Sequence, residues 1–212
     1  MQTQTGILTV VSGFSGSGKG TIMNRLMEKY PQNYALSISA TTRSPRPGEV
    51  DAREYFFCTK ERFEEMIAKE ELLEYACYVE NYYGTPSAYV QEQLQAGKDV
   101  ILEIEMQGAL KIKRKYPDSV LLFVTPPSFE ELKRRLTNRG TESPEAVRAR
   151  LKRAGEECEG VEHYDYLIIN DELEACVSQV HSILQNEHTR LSRREAFINQ
   201  MKQSFMEYAK GE

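Results

Sequence analysis

The sequence predicts an α/β fold in which a parallel β-sheet is covered by helices. Two observations lead to this prediction. Short apolar runs alternate along the chain with longer stretches whose apolar residues recur at helical spacing. The apolar runs are also nearly continuous, as expected for strands buried on both faces of a parallel sheet. With 212 residues and 40% hydrophobic content, the chain can form one such domain that carries small insertions.

The core elements follow from these patterns in chain order. The apolar run from Ile7 to Val11 predicts a buried strand, and the stretch from Thr21 to Lys29 predicts a helix with one apolar face. The later core elements are predicted as strands at 99–104, 120–124 and 166–169, and as helices at 109–115, 129–136, 173–187 and 190–209.

Two segments interrupt the alternation. Residues 35–97 combine the alternating ALSIS, the turn region TTRSPRPG, an acidic stretch of helical pattern and several tyrosines, which together predict a small α+β insertion. Residues 128–155 hold eight of the 27 cations, with Gly140 ending one predicted helix and Ser143-Pro144 starting the next. A cationic helical hairpin suits a mobile lid over phosphates, and mutual repulsion of its cations predicts an open lid without ligand. A solvated charged face would explain about half of these cations.

Composition limits the classes of partner. The net charge of −5 lacks the basic footprint of nucleic-acid-binding proteins. No stretch approaches the ~20 apolar residues of a membrane span, and the N-terminus has no basic leader, so we expect a cytoplasmic monomer or small homo-oligomer without membrane partners. The four cysteines show no CxxC pair or nearby histidine ligand, which predicts reduced thiols. The three histidines are expected to be surface or packing residues.

A phosphate-binding loop is predicted where GFSGSGK matches GxxxxGK, between the first strand and the first helix. Glycines let backbone N–H groups point at phosphate oxygens, the helix adds its positive N-terminus, and Lys19 can reach the β- and γ-phosphates. A glycine-rich turn without a ligand is the alternative, which the strand–helix context disfavours. The predicted ATP-binding residues of this loop are Gly13, Ser15, Gly16, Ser17, Gly18, Lys19, Gly20 and Thr21.

The residue after Lys19 departs from the usual pattern. Gly20 stands where such loops carry the Ser or Thr that binds magnesium, and Thr21 comes one residue later. We therefore assign no direct bond between the protein and the metal. Mg²⁺, the expected cofactor, would be held mainly by phosphates and water.

Two carboxylates lie near the end of the predicted strand at 99–104. Glu103 and Glu105 stand two residues apart, which would place both on one face. Ligands bind beyond the carboxyl ends of strands in such sheets, so a functional role is favoured, above all for Glu105. An ion pair with a neighbouring helix is the alternative.

Several segments, in this order, resemble guanylate kinases: SGFSGSGKGT, SATTRSPRPGEVDAREYFF, ENYYGTP, ILEIEMQGA, RRLTNRGTESPEAVRARL and IIND. The resemblance implies a core at 1–36, 98–127 and 156–212, a GMP-binding insertion at 37–97 and a lid at 128–155. It also implies transfer of the γ-phosphate of ATP to GMP, and to dGMP, with Mg²⁺ as cofactor.

The resemblance further implies roles for individual residues. The phosphate of GMP would be held by Arg43, Arg46, Tyr55 and Tyr83, with Glu49 orienting the arginines. Guanine would be bound by Ser39, Glu74 and Thr85, and Glu105 is also assigned to the GMP site. The transferring phosphoryl group would be surrounded by Lys19, Arg135, Arg139 and Arg150, and Asn170 would lie near adenine. Such chemistry needs positioning and charge neutralisation more than a general base.

The chain departs from the family at two places. It has Ala52-Arg53-Glu54-Tyr55 where the family often has Gly-x-Asp-Tyr, and Glu105 where Asp is frequent.

Three alternatives are weighed against this interpretation. An enzyme of the same fold could take AMP, CMP or a ribose phosphate as the acceptor, which Glu74 and TTRSPRPGE disfavour. A guanylate-kinase-like scaffold module would bind phosphopeptides and lack much of the ATP site, unlike the intact GSGKG loop here. For Glu74 itself, the alternative is an ordinary exposed helix carboxylate within EELLEYA, as expected for Glu70 and Glu71.

Overall fold

The structure, a computed structural model, describes residues 5–78, 80–138 and 143–210. Its strands are β1 (Leu8–Gly13), β2 (Tyr34–Leu36), β3 (Ala40–Thr41), β4 (Phe56–Phe57), β5 (Leu72–Tyr78), β6 (Asn81–Pro86), β7 (Asp99–Glu103), β8 (Val120–Thr125) and β9 (Tyr166–Ile169). Its α-helices are α1 (Lys19–Lys29), α2 (Lys60–Ala68), α3 (Ser87–Gln95), α4 (Met106–Lys115), α5 (Phe129–Thr137), α6 (Pro144–Cys158), α7 (Leu173–Glu187) and α8 (Glu195–Ala209). Short 3₁₀ helices occupy Val161–His163 and Leu191–Arg193.

The main sheet has the strand order β2-β7-β1-β8-β9, and all of its pairs are parallel. Apolar clusters cover both faces: Ile22 of α1 and Val177 of α7 pack on one, and Val90 of α3 and Ile112 of α4 pack on the other. The predicted α/β fold with a helix-covered parallel sheet is therefore confirmed. No helix within the described residues is long and apolar enough to cross a bilayer.

A second, smaller sheet has the order β4-β3-β6-β5, with antiparallel pairing of β6 to both β3 and β5. It packs with α2 around its own apolar cluster, which includes Phe63 and Met66. This region has the α+β character expected of the insertion. At its edges, however, β2 pairs with β7 in the main sheet, and Val90 of α3 joins the main core, so these parts of the 35–97 segment belong structurally to the core.

The expectation of a helix through EELLEYA is wrong. Helix α2 ends at Ala68, Glu70 takes a left-handed conformation with φ of 54°, and the strand β5 follows. The reason is tertiary: Leu72 packs into the cluster of the small sheet, while Leu73 packs into the main core. An extended chain can serve both layers, since neighbouring side chains of a strand point to opposite sides.

The predicted lid forms the two helices α5 and α6, which pack on each other and on the core. Leu132, Leu136 and Ala154 share an apolar cluster with Phe14 of the phosphate loop. The hydroxyl groups of Ser128 and Ser143 accept hydrogen bonds from Glu131 N and Ala146 N and thus cap the helices, and the Ser143 cap is as predicted. The predicted helix end at Gly140 lies outside the described residues.

Candidate active site

The glycine-rich loop runs from β1 into α1 and has the geometry of a phosphate-binding loop. Gly16 and Gly18 have φ values of 88° and 90°, in the left-handed region that favours glycine. Both are also crowded: a β-carbon on Gly18 would lie 2.4 Å from Asn170 Nδ2, and one on Gly16 would lie 2.9 Å from Leu136 Cδ2. The loop can therefore take this shape only with glycine at these positions.

Lys19 begins α1, and its side chain turns back over the loop. Its Nζ donates hydrogen bonds to Gly13 O at 2.6 Å and to Phe14 O at 3.3 Å. Glu103 lies close by at the end of β7, where loss of hydration raises its pKa and the charge of Lys19 partly offsets the increase, although the residue keeps an exposed surface. Phosphate-binding loops usually carry a Ser or Thr hydroxyl at the position of Gly20. A β-carbon on Gly20 would lie 3.9 Å from both carboxylate oxygens of Glu103, so this carboxylate lies beside that position.

Asn170 supports the loop from behind. Its Nδ2 donates to Ser17 O at 2.7 Å, its backbone N–H donates to Thr125 O at 2.7 Å, and the residue is buried. The side-chain amide thus serves the loop backbone, and a role near adenine stays a prediction.

The lid arginines contact the same loop. Arg135 donates from Nη2 to Asn170 O at 2.8 Å and from Nη1 to Ser17 O at 3.4 Å, and its Nε pairs with Glu131 at 2.6 Å. Arg150 donates from Nη1 to Ser15 Oγ at 2.7 Å. Arg139 lies outside the described residues.

Glu103 and Glu105 do not share a strand face, so that prediction is wrong. β7 ends at Glu103, and Glu105 is the residue that precedes α4, because the chain turns into the helix there. Glu105 forms an ion pair with Arg153 of α6, and Arg153 also pairs with Glu157 at 3.2 Å. This is the ion-pair alternative for Glu105, whose role toward GMP stays a prediction.

The turn region of the insertion forms a compact cationic group. Arg43 Nη2 pairs with Glu49 Oε1 at 2.9 Å, and the second oxygen of Glu49 accepts the backbone N–H of Arg46 at 2.7 Å. The hydrogen bond from Arg43 is the main reason why the pKa of Glu49 is lowered. The Arg43 guanidinium also lies 5.4 Å from the ring centroid of Tyr55, which contacts the Tyr83 ring edge-on at 6.0 Å. The four residues predicted to hold the GMP phosphate are therefore linked, directly or through Glu49: Arg43, Arg46, Tyr55 and Tyr83.

A buried carboxylate forms the second part of the insertion site. Glu74 is 8% exposed, and its Oε1 accepts a hydrogen bond from Thr85 Oγ1 at 2.9 Å. Burial raises the pKa of Glu74, while the Thr85 bond and the charge of Lys111 act in the opposite direction. Ser39 directly precedes β3 of the same small sheet, where its carbonyl accepts the backbone N–H of Phe56 of β4.

Gly108 links the two halves of the site, and the sequence patterns did not single it out. A β-carbon on Gly108, in the first turn of α4, would lie 2.9 Å from Glu74 Oε2. The carboxylate of Glu74, which belongs to the small sheet, thus lies against the first turn of α4. This helix starts just after β7, at the same edge of the main sheet as the phosphate loop. Glu131 was also missed, although its spacing of four residues to Arg135 on a helix could have identified it.

No group of three or more His, Cys, Asp or Glu side chains within the described ranges is arranged to hold a metal ion. The region around the carboxyl ends of the strands brings together the glycine-rich loop, the carboxylate of Glu103 and cationic side chains from α1, α5 and α6.

A family model, curated relatives and a solved structure all link this chain to guanylate kinases. A family model described as guanylate kinase matches residues 6–187. The guanylate kinase of Halalkalibacterium halodurans is 50% identical over 193 residues, which are 91% of this chain and 94% of that protein. The guanylate kinase of Lactococcus lactis subsp. lactis is 50% identical over 190 residues, 90% of this chain and 92% of that protein. A crystal structure of guanylate kinase from Anaplasma phagocytophilum superposes with a TM-score of 0.73 at 32% identity and covers 90% of both chains.

Proposed function

The chain belongs to the guanylate kinase family and is an ATP:GMP phosphotransferase, and we propose how its residues divide the reaction between them. The observation that supports this division is the contact of Glu74 with Gly108. Because of this contact, the buried carboxylate of Glu74 lies against the first turn of α4, just after β7, and this position supports a role in binding the base. ATP and GMP would therefore meet with their phosphates over the carboxyl end of β1 and β7.

On the ATP side, backbone N–H groups of residues 13–21 bind the phosphates. Lys19 leaves the carbonyl oxygens of Gly13 and Phe14 and binds the β- and γ-phosphates instead. Arg135 and Arg150 already contact the loop, at Ser17 O and Ser15 Oγ, and would turn from there to the γ-phosphate. Arg139, on the basis of the sequence, joins them.

On the GMP side, Arg43, Arg46, Tyr55 and Tyr83 bind the acceptor phosphate. The carboxylate of Glu49 pairs with the guanidinium of Arg43 and accepts a hydrogen bond from the backbone N–H of Arg46. A guanidinium held in this way loses less conformational freedom when it grips a phosphate with two parallel hydrogen bonds. The tyrosine hydroxyls complete the cage without adding charge.

Glu74 selects the base. Guanine presents two adjacent donors, N1–H and the N2 amino group, whereas an ionised carboxylate only accepts hydrogen bonds. Adenine presents a lone pair at N1 and would leave the buried Glu74 unsatisfied. Thr85 holds one carboxylate oxygen, and Ser39, on the basis of the sequence, joins the same pocket. The 2′-position of the sugar is not part of this recognition, so we expect dGMP to be accepted as well.

Magnesium fits the residues that are present, provided that water and phosphate supply most of its ligands. The loop offers Gly20 in place of a hydroxyl, and Glu103 is the carboxylate beside it. Mg²⁺ commonly keeps several waters and takes one or two carboxylates with substrate phosphates. When bound, the ion would neutralise charge on the β- and γ-phosphates, with Glu103 accepting hydrogen bonds from its waters.

The transfer itself needs no general base from the protein. An oxygen of the GMP phosphate attacks the γ-phosphorus while the bond to the bridging oxygen of ADP breaks, which yields GDP and ADP. Negative charge spreads over the equatorial oxygens in the transition state, where Lys19 and the arginines stabilise it.

A coupled assay of ADP release with GMP, dGMP, AMP and CMP tests this assignment. We expect turnover with the two guanine nucleotides and rejection of the others. Lys19→Met should lower kcat by about a hundredfold or more, the scale for losing one preorganised stabilising group, with GMP affinity nearly unchanged. Near-parental turnover of Lys19→Met, or equal use of AMP, would contradict the proposed roles.

A further inference from the structure

Helix α4 contacts β5, an edge strand of the small sheet, at two neighbouring residues. A β-carbon on Gly108 would lie 2.9 Å from Glu74 Oε2, and Lys111 Nζ donates a hydrogen bond to Tyr75 O at 2.9 Å. Gly108 and Lys111 stand three residues apart in α4, so they lie on the same face of the helix. The ammonium group of Lys111 is therefore bound to the backbone of the residue that directly follows Glu74.

The part of β5 that carries Glu74 is irregular. Leu72 pairs with Pro86 and Tyr75 pairs with Gly84, so β5 has one more residue than β6 between these two pairs. A β-bulge of this kind bends the strand and changes the direction of the side chains within it. Because the bulge interrupts the regular pairing, other contacts must fix this segment. Lys111 supplies one of them at Tyr75, where the regular pairing resumes.

Lys111 contacts Tyr75 through the side chain as well as through the backbone. Its Nζ lies 5.7 Å from the centroid of the Tyr75 ring, which is within the range of a cation–π contact. The hydrogen bond and the ring contact together hold the lysine at the interface between α4 and β5. Its positive charge therefore stays beside the bulge and does not extend into solvent.

The charge of Lys111 acts on Glu74. Burial raises the pKa of Glu74, whereas the hydrogen bond from Thr85 of β6 and the charge of Lys111 of α4 lower it. The carboxylate of Glu71, just before β5, is paired with Arg62 at 2.9 Å. Since an opposite charge nearby favours the ionised form of a carboxyl group, Lys111 offsets part of the effect of burial on Glu74.

We propose that Lys111 is a positioning residue for guanine recognition, which holds the bulged part of β5 against α4 and favours the charged carboxylate of Glu74. This inference rests on the proposed function, in which Glu74 binds the base. A carboxylate that is already ionised and fixed in place can accept the N1–H and N2 amino donors of guanine without first losing a proton. Lys111 acts on the base through Glu74 and through the backbone of Tyr75.

The pH profile of kcat/KM for GMP tests this role. Lys111→Met removes the charge and keeps an apolar side chain, so the pKa of Glu74 should rise and the acid limb of the profile should move to higher pH. A move of about one pH unit lowers kcat/KM below the limb about tenfold. The loss should appear as a higher KM for GMP, with kcat and the KM for ATP unchanged. Lys111→Arg keeps the charge and should retain the parental profile.

Lys115→Met is the matched control. Lys115 lies in the last turn of the same helix, with its Nζ 5.7 Å from the centroid of the Tyr116 ring, so this variant loses the same charge at a place away from Glu74. Its pH profile should match that of the parent, and thermal unfolding verifies that all variants are folded. Equal shifts in Lys111→Met and Lys115→Met overturn the inference, and so does a loss in Lys111→Met that is the same at every pH.

Combination with Glu74→Gln separates this inference from the proposed role of Glu74. Lys111→Met should add little to Glu74→Gln, because the amide does not titrate, whereas independent effects would multiply. If Glu74→Gln alone uses GMP as well as the parent does, the proposed role of Glu74 fails, and this inference fails with it. If Glu74→Gln impairs the use of GMP while Lys111→Met keeps the parental profile, the role of Glu74 stands and only the role of Lys111 is overturned.

Discussion

At the residue scale, Glu74 shows a tension between folding and recognition. Its burial beside Thr85 raises the pKa of the carboxyl group, which favours the neutral form. Guanine donates two hydrogen bonds and requires the ionised form. Because the folded-state pKa is raised above the unfolded value, Glu74 stabilises the fold below its unfolded pKa, and this contribution is lost as the pH rises through the raised value. In its proposed role, Glu74 would therefore bind guanine in the pH range in which it contributes least to the stability of the fold.

The kcat/KM for GMP should consequently fall as the pH drops through the raised pKa of Glu74 in the free enzyme. Glu74→Gln should lose this part of the pH profile together with most of the preference for guanine, because a neutral amide cannot accept two hydrogen bonds at once with the same geometry. Sites that bind a substrate donor can discriminate by about 10⁴-fold.

Steady-state kinetics from weakly acid to neutral pH, with GMP and AMP as acceptors, provide the measurement. ATP binding serves as the control and should be unaffected by the substitution. A Glu74→Gln variant that uses GMP as well as the parent and still rejects AMP would mean that guanine is recognised elsewhere, with Ser39 and Thr85 next to be tested.

Gly108 should act as a positioning residue for Glu74. Gly108→Ala inserts a methyl group 2.9 Å from Glu74 Oε2, and the flexible carboxylate must move away from its place beside Thr85. We expect a KM for GMP raised by roughly tenfold, the cost of a weakened hydrogen bond to a charged group, with the KM for ATP unchanged.

Gly155→Ala is the matched control, because a β-carbon there meets no atom within 4 Å. It should leave both KM values unchanged and slightly raise the stability of α6, since alanine favours helix over glycine. A Gly108→Ala variant with the parental KM for GMP would show that Glu74 can bind guanine from a shifted position.

The sequence patterns identify charged turn residues more readily than buried ones. The resemblance to guanylate kinases predicts that Glu49 orients Arg43 and Arg46, and the structure shows Glu49 bonded to both residues. The burial of Glu74 is different, because it depends on Gly108 and Thr85, which are distant along the chain. Local pattern alone suggested an exposed helix carboxylate.

At the element scale, α5 supports the phosphate loop through apolar contacts as well as through Arg135. Leu136 is fully buried, and its Cδ2 lies against Gly16 in the cluster that includes Phe14. The loop is thus held between Asn170 and Leu136. A helix predicted to be part of a mobile lid therefore also supports the glycine-rich loop.

Leu136→Ala should lower the free energy of unfolding by about 2–5 kcal/mol, the usual cost of truncating a buried leucine. It should also raise the KM for ATP, because the loop loses one of its supports. Phe129→Ala on the same helix is the control: Phe129 is exposed, and its truncation should change the stability little.

Urea denaturation of the parent and of both variants measures these effects. Equal losses of stability for Leu136→Ala and Phe129→Ala would show that α5 is not anchored against the loop.

Element types were easier to predict than element ends. The cap at Ser143-Pro144 and four of the five strands of the main sheet follow from local signals, whereas the sequence pattern assigns most of β2 to the insertion. The end of β7 at Glu103 and the strand β5 do not, because they depend on the helix α4 and on two apolar layers that the strand joins. The order β2-β7-β1-β8-β9 also lies beyond local patterns, since the strand order depends on crossovers between distant segments.

At the scale of the whole molecule, the small sheet is the more independent unit. It has its own apolar cluster around Phe63, whereas the lid helices share a cluster with Phe14 of the core. Several lid cations also form ion pairs, among them Arg134 with Glu131 and Arg153 with Glu105 and Glu157. Repulsion between lid cations is therefore weaker than the sequence suggests.

Substrates should draw the small sheet toward the phosphate loop and exclude water from the reacting phosphate. Small-angle scattering should show a smaller radius of gyration with a bisubstrate analogue than with no ligand. Either substrate alone should give a smaller change, because only the analogue joins Arg43 to the loop. Dilute samples keep the comparison free of any self-association. An unchanged radius would indicate a rigid cleft.

The hydrogen bonds of Lys19 to Gly13 and Phe14 also concern the end of each turnover. In the proposed role of Lys19, its ammonium group returns to these two carbonyl oxygens of its own loop when the nucleotide leaves. In the empty loop these oxygens take the place of the phosphate oxygens as hydrogen-bond acceptors for Lys19. The free-energy difference between the nucleotide-bound and the empty loop is therefore smaller than it would be with an unpaired lysine. Since product release limits the rate of many enzymes, we expect a loop that satisfies its own lysine to favour rapid exchange of ADP for ATP over the tightest possible binding of either nucleotide.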